Sequence, residues 1–158
     1  MTNMEFPIWC DNDKLRQGEH GEMLVIQYFE SIGFLTLKNP KRMGSWDMLI
    51  IDPQSGDSKK TQVKTVSRYV TKNYFGLTLG KRGDTLDAIK SADWLILVVR
   101  TPPSYHDKEF EGKMLLVKNH RSYSVVGNQY IIPSDPENFT LITKLKAKQL
   151  QELNTYNP

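Results

Sequence analysis

The sequence predicts a mixed α/β or α+β domain in which a central mixed β-sheet is flanked by helices. The expected elements follow the order helix, strands, helix, strand, strands, helix, which is typical of such a sheet. In addition, the apolar run from Trp94 to Val99 is unbroken, as expected of a strand that is buried on both faces. A chain of 158 residues, of which 39% are hydrophobic, suffices for one ordinary core, so we expect a single domain over residues 1–158.

The first element is a helix over residues 14–32. Its apolar residues recur at the spacing of one helix face, and Gly33 follows as a stop signal. Short strands are expected at residues 34–37, 48–51 and 60–66, with a loop at 39–44 and a turn at 52–57 between them. Residues 46–66 should therefore form a β-hairpin.

Weaker patterns follow in the second half of the chain. Asp84 can cap a short helix that carries Leu86 and Ile89, and the capping residues Ser134-Asp135-Pro136 precede a last helix over residues 137–154. We expect the core in about residues 14–100, with the strands and helix of residues 110–158 as an elaboration. The remaining strands are expected at residues 74–79 (strand or loop), 94–99, 114–117, 123–126 and 130–132.

Composition excludes several classes of protein. Cys10 is the only cysteine, so an intrachain disulfide and a cysteine-rich zinc module are both excluded, and a reducing compartment is expected. The longest apolar run is far shorter than the ~20 residues that span a bilayer, and the first residues lack the pattern of a signal peptide. We expect a soluble, cytoplasmic protein.

Positive charge is concentrated in one segment. Residues 38–82 carry ten Lys or Arg and three Asp, which gives +7, so the rest of the chain carries −4 of the total of +3. Such a segment is typical of proteins that bind a phosphate backbone. A basic face that is only solvated is the alternative.

Glu22 lies on the apolar side of the predicted first helix. At about 100° per residue it falls within about 20° of Phe29, and a carboxylate there needs a cation or a hydrogen-bond donor. A carboxylate at the margin of the core, paired with a nearby Lys or Arg, is the simpler explanation. Glu19, one turn earlier, fits best as a favourable acid in the first turn.

Three further polar residues lie on the predicted hairpin. Asp47 begins one strand, and Gln62 and Lys64 project to the same side of the next strand because side chains alternate. If the hairpin pairs in register, the three side chains meet at one end of the sheet, with Glu22 approaching from the helix packed above. Taken separately, each has an ordinary explanation as a strand end or a solvated strand face.

Together these residues resemble the PD-(D/E)xK nuclease superfamily, and within it the archaeal-type Holliday junction resolvases and Mrr-like nucleases. The likeness covers about residues 14–100 and implies a restriction-endonuclease-like core. The sequence departs from the usual pattern at Gln62, where an acid is common, and no proline precedes Asp47. The matching segments are Arg16-x-Gly18-x-x-x-Glu22-x-x-Val25, Gly33-Phe34, Gly44-Ser45-Trp46-Asp47, Gln62-Val63-Lys64-Thr65 and the apolar strand after Ala92-Asp93.

The resemblance implies a role for each matching residue. Asp47 would be the principal ligand of Mg²⁺ or Mn²⁺, with the Gln62 side chain, the Val63 carbonyl and Glu22 completing the oxygen ligands. Lys64 would position or deprotonate the attacking water and stabilise charge at phosphorus. The amide at Gln62 leaves the number of metal ions open. Contacts to nucleic acid are expected from Arg16, Lys41, Arg42, Arg68, Lys72, Lys81 and Arg82.

The leading hypothesis is a metal-dependent endodeoxyribonuclease that acts on duplex or branched DNA as a homodimer or higher oligomer. Its setting could be junction resolution, restriction or intron homing. The alternative is a nuclease-like DNA-binding or assembly protein whose catalysis is weak or lost, with Gln62 as the trace of that loss.

Overall fold

The computed structural model describes residues 14–39, 46–66, 73–80, 84–99 and 113–142, with side chains from residue 18 onward. These ranges contain two α-helices, nine β-strands and a short 3-10 turn. The helices are α1 (Lys14–Ser31) and α2 (Asp84–Ser91), and the turn is Pro136–Asn138. The strands are β1 (Leu35–Lys38), β2 (Met48–Ile51), β3 (Ser58–Val66), β4 (Tyr74–Thr78), β5 (Trp94–Val99), β6 (Met114–Val117), β7 (Ser124–Val126), β8 (Gln129–Pro133) and β9 (Phe139–Leu141).

A six-stranded mixed sheet forms the centre of the domain. Its strand order is β1-β2-β3-β5-β6-β9, and β3 and β5 are parallel whereas the other neighbours are antiparallel. The predicted fold class is therefore confirmed, as is the hairpin formed by β2 and β3. A second, three-stranded sheet in the order β4-β8-β7 was not predicted.

Strand β5 lies in the middle of the sheet and separates two apolar cores. All six of its residues are buried, as its unbroken apolar sequence predicts. Trp94, Ile96 and Val98 face the core under α1, whereas the alternate residues Leu95 and Leu97 face a second core. The second core is covered by α2 and the small sheet, so one of the two covering layers consists mostly of strands.

The predicted last helix is wrong at its start. Residues 136–138 form the 3-10 turn and residues 139–141 form β9, an edge strand that pairs with β6. Side chains alternate between the two faces as in a strand, because Phe139 and Leu141 pack with the second core, Phe139 against Phe75, whereas Ile142 reaches the first core. The remainder of that prediction, residues 143–154, lies outside the described residues. Within the described chain, no helix is long and apolar enough to cross a membrane.

A buried histidine joins the segment after β6 to the end of α2. The His120 ring nitrogen Nε2 lies 2.7 Å from the carbonyl oxygen of Ala92, just beyond α2, and Arg121 donates hydrogen bonds to the carbonyls of Lys90 and Ala92. Burial lowers the pKa of His120 below its ordinary 6.5, and the charge of Arg121 lowers it further, against the opposing effects of the Ala92 hydrogen bond and Asp93.

This burial should make stability depend on pH. Because the folded state resists protonation of His120, the unfolded state binds more protons below pH 6.5, and the free energy of unfolding should fall as the pH drops through that value. Thermal unfolding of the wild type and His120→Asn between pH 5.5 and 7.5 tests this. We expect a flatter profile for the variant, and identical slopes would contradict the assignment.

Candidate active site

Beyond Thr61, one edge of β3 pairs with no strand among the described residues, and we call it the open edge. Strand β5 pairs with β3 from Thr61 to Val66, but β2 pairs with it only as far as Thr61. Asp47 lies where β2 departs, and its N–H donates to the Thr61 carbonyl at 2.9 Å. Its carboxylate oxygen Oδ2 accepts a hydrogen bond of 2.8 Å from the Val63 N–H. The aspartate thus covers the first backbone group that β2 leaves unpaired.

The direction of the peptide groups and side chains of β3 determines which polar groups lie near Asp47. The N–H and C=O of one residue point to the same edge of a strand, so the Val63 carbonyl faces the open edge together with the Val63 N–H. Gln62 and Lys64 pair with Leu95 and Leu97, and their side chains therefore project on the face of the second core. Gln62 is 7% exposed and Lys64 is half-buried.

Lys64 is the electrostatic centre of the site. Burial lowers the pKa of its ammonium group, and the negative charges of Asp47 and then Glu22 act in the opposite direction. Both carboxylates are therefore close enough to Lys64 to stabilise its charge. Glu22 and Asp47 are themselves half-buried. The charges of Asp47, Glu22 and Lys64, which come from two strand segments and one helix, therefore act on one another.

The position of α1 corrects one expectation. Helix α1 packs on Val63, Ile96 and Val98, which is the face of the sheet opposite to Lys64, so Glu22 does not approach from a helix above the lysine. The negative charge of Glu22 nevertheless acts on Lys64 and opposes the lowering of its pKa. Glu19, the other carboxylate considered, is exposed, and it lies beyond the first turn of α1, so its predicted role as an acid of that turn is wrong.

Gly21 allows α1 to approach the sheet closely. A β-carbon at this position would overlap the hydroxyl oxygen of Thr65 and lie 3.3 Å from the Thr65 Cβ and 3.7 Å from the Val98 Cβ. Gly21 and Thr65 directly adjoin Glu22 and Lys64 in the sequence. Their contact therefore sets how closely α1 approaches β3 beside the two charged residues. A glycine in mid-helix, which costs about 1 kcal/mol relative to alanine, was the available signal.

Asn39 supports Asp47 and was missed by the sequence analysis, which placed it in a loop. Its side chain is 8% exposed. The backbone N–H of Asn39 donates to the Asp47 carbonyl at 2.9 Å, and its amide Nδ2 donates to the Trp46 carbonyl at 3.0 Å. These bonds hold the two peptide groups that flank the Cα of Asp47.

The oxygen donors of the site suit a hard cation. Asp47 and Glu22 offer carboxylates, Gln62 an amide oxygen and Val63 a carbonyl at the open edge, and this is the mixed oxygen set that Mg²⁺ or Mn²⁺ accepts. Among the described residues, no three His, Cys, Asp or Glu side chains are grouped to hold a metal ion. The donor set therefore relies on the amide and the backbone for half of its groups.

The expected nucleic-acid contacts fall outside the part of the chain that can be described. Arg16 lies on α1, but its side chain is not among those described, and Lys41, Arg42, Arg68, Lys72, Lys81 and Arg82 lie between the described segments. Of the ten basic residues in segment 38–82, the structure describes Lys38, Lys59, Lys60 and Lys64.

Comparison with known proteins identifies a relative in fold. No protein-family model and no curated sequence matches this chain. The solved structure of a bacterial homing endonuclease, I-Ssp6803I, is similar, with a TM-score of 0.52 and 16% sequence identity over 85% of this chain and 88% of that chain. The domain therefore has the α+β fold of that endonuclease, with a central mixed sheet.

The contact between Gly21 and Thr65 can be tested with a matched pair of substitutions. Gly21→Ala should push α1 away from β3, lower the melting temperature and displace Glu22 from Lys64. Gly18→Ala lies on the same helix, where nothing is within 4 Å of an added β-carbon, and should stabilise the protein by about 1 kcal/mol.

Thr65→Ala removes the hydroxyl that Gly21→Ala would strike, so the double variant should recover part of the lost stability. Thermal unfolding of the four variants measures these effects. Equal melting temperatures for Gly18→Ala and Gly21→Ala would contradict the role given to Gly21.

Proposed function

We propose that this protein is a metal-dependent endonuclease that hydrolyses phosphodiester bonds in DNA. The observation that carries the proposal is that the Asp47 carboxylate binds the Val63 N–H just beyond the β2–β3 pairing, while the charges of Asp47 and Glu22 both act on the largely buried Lys64. Carboxylates beside a buried lysine are costly in a purely structural setting, and perturbed groups of this kind cluster at functional sites. The likeness in fold to a homing endonuclease supports the same class of reaction.

Each residue has a part in the proposed chemistry. Asp47, Gln62, the Val63 carbonyl and Glu22 would hold Mg²⁺ or Mn²⁺, which supplies Lewis-acid polarisation of the phosphate and a more acidic water. Lys64 orients the attacking water and stabilises the negative charge that develops at the phosphoryl oxygens. Its lowered pKa makes the neutral amine more accessible, so Lys64 is also suited to accept a proton.

The sequence resemblance to the PD-(D/E)xK superfamily supports the same assignment. In that setting the chain would act on duplex or branched DNA as a homodimer or higher oligomer, because one site per chain cuts one strand at a time. The basic segment of residues 38–82 would bind the phosphate backbone. Junction resolution, restriction and homing are the three roles that this chemistry fits.

A cleavage assay tests the proposed function. Purified protein is incubated with supercoiled plasmid and with four-way junctions in Mg²⁺, Mn²⁺ or EDTA, alongside Asp47→Asn and Lys64→Met. We expect cutting that requires metal and falls at least a hundredfold in both variants, as is typical when a principal electrostatic group is removed. Lys90→Met is the control, because Lys90 is an exposed lysine on α2, outside the basic segment of residues 38–82.

DNA binding without cutting in every metal would contradict the proposal and favour the alternative, a nuclease-like DNA-binding protein. Cutting that survives in Asp47→Asn would place the reaction elsewhere in the chain.

Burial of Lys64 should also lower the free energy of unfolding. Because burial lowers the pKa of Lys64 below 10.5, the folded state disfavours its charged form, and the free energy of unfolding at pH 7 is smaller than it would be with a neutral side chain. Lys64→Met should therefore raise the melting temperature, whereas Lys90→Met should leave it nearly unchanged. A clear loss of stability in Lys64→Met would show that the ion pairs outweigh the burial of the lysine.

A further inference from the structure

The outer edge of β1 carries backbone groups that no described strand pairs. The Asp52 N–H donates to the Asp57 carbonyl, so Asp52 directs its backbone groups toward β3, and by alternation Leu49 and Ile51 direct theirs toward β1. The bond from the Asn39 N–H to the Asp47 carbonyl, at the other end of the β1–β2 pair, agrees with this pattern. By alternation along the strands, Leu35 and Leu37 direct their N–H and C=O groups to β2. Thr36 and Lys38 direct theirs outward, at the end of the sheet.

The side chains of this edge are unusually apolar for an exposed strand. Leu35 and Leu37 are each 55% exposed and lie on the face opposite to α1. Leu49 and Ile51 of β2 lie opposite them on the same face and are half-buried. We call these four residues the aliphatic patch. An unpaired edge beside exposed leucines is a template for a further strand.

We propose that a second copy of this chain pairs with β1 through an antiparallel contact centred on Thr36. In this register the N–H and C=O of Thr36 bond to those of Thr36 of the partner subunit, because both point outward. Leu35 then lies opposite Leu37 of the partner subunit, and Leu37 opposite the partner's Leu35. Two cross-strand leucine pairs join the two aliphatic patches into one surface.

Charge on the other face fits the same register. The Thr36 hydroxyl donates to the Glu30 carboxylate at 3.2 Å, so Glu30 lies beside the strand on the α1 face. Lys38 projects on that face too, and pairing places it diagonally across from Thr36 of the partner subunit, within reach of the partner's Glu30. The two-fold axis produces this ion pair twice. The contact is therefore self-complementary in backbone, apolar groups and charge.

The paired edges would place both candidate sites on one side of the dimer. An antiparallel contact relates the copies by an axis perpendicular to the sheet, so Gln62 and Lys64 of both chains face the same direction. Five strand spacings separate the two β3 strands, which is about 24 Å. If the proposed function is correct, this arrangement lets two sites address the two strands of a single DNA molecule.

The test measures association in solution without DNA or metal, so its result does not depend on whether the protein is a nuclease. Sedimentation equilibrium should give the wild type twice the mass of one chain. Thr36→Pro removes the outward N–H at a position where an edge strand tolerates proline, and Thr36→Val removes the same hydroxyl but keeps the N–H. We expect a monomer for Thr36→Pro and a dimer for Thr36→Val, with circular dichroism confirming that both are folded.

A second pair of variants covers the case in which Thr36→Pro does not fold. Leu37→Lys should produce a folded monomer because it places like charges beside the axis, whereas Leu37→Met should remain dimeric. A monomeric wild type, or dimers that persist in both Leu37→Lys and Thr36→Pro, would overturn the proposal.

Discussion

The hydrogen bond from the Val63 N–H to the Asp47 carboxylate is the interaction on which the rest of the site depends. It occurs where the pairing of β2 with β3 ends. The Asp47 side chain therefore accepts the hydrogen bond that a backbone carbonyl of β2 would accept if the pairing continued. The carboxylate is thereby fixed beside the Val63 carbonyl, and Asn39 holds the backbone on which it is carried. A complete β2–β3 ladder would occupy this edge and leave no room for a substrate or an ion.

Two residues near this hydrogen bond are locally unfavourable for stability. Lys64 is half-buried although burial opposes its charge, and Gly21 lies within α1 although glycine has a lower intrinsic helix propensity than alanine. Both features violate local preferences, and both bear on the same pair of charged residues, Glu22 and Lys64. Departures of this kind are expected at functional sites and are compensated by the packing around them, here the two cores on either side of β5.

Much of the architecture could be predicted from local pattern. The bounds of β2, β5 and β6 match the sequence prediction, and α1 and α2 were placed by apolar spacing and capping residues. The same alternation of side chains placed Gln62 and Lys64 on one face. Local pattern does not tell which face of the sheet α1 covers. Helix α1 covers Ile96 and Val98 of β5, and this places it on the face opposite to Lys64. Residues 139–141 became a strand because β6 offered a free edge, which is a tertiary effect that overrides the helical spacing of the segment.

The central claim is that Asp47 and its neighbours at the open edge of β3 form a divalent-metal site. Crystals of the protein grown with Mn²⁺ test this directly, since the anomalous signal of manganese locates the ion independently of any activity. The expected result is a peak in contact with the Asp47 carboxylate and the Val63 carbonyl, which disappears in Asp47→Asn. A peak elsewhere in the chain, with none at Asp47, would contradict the assignment.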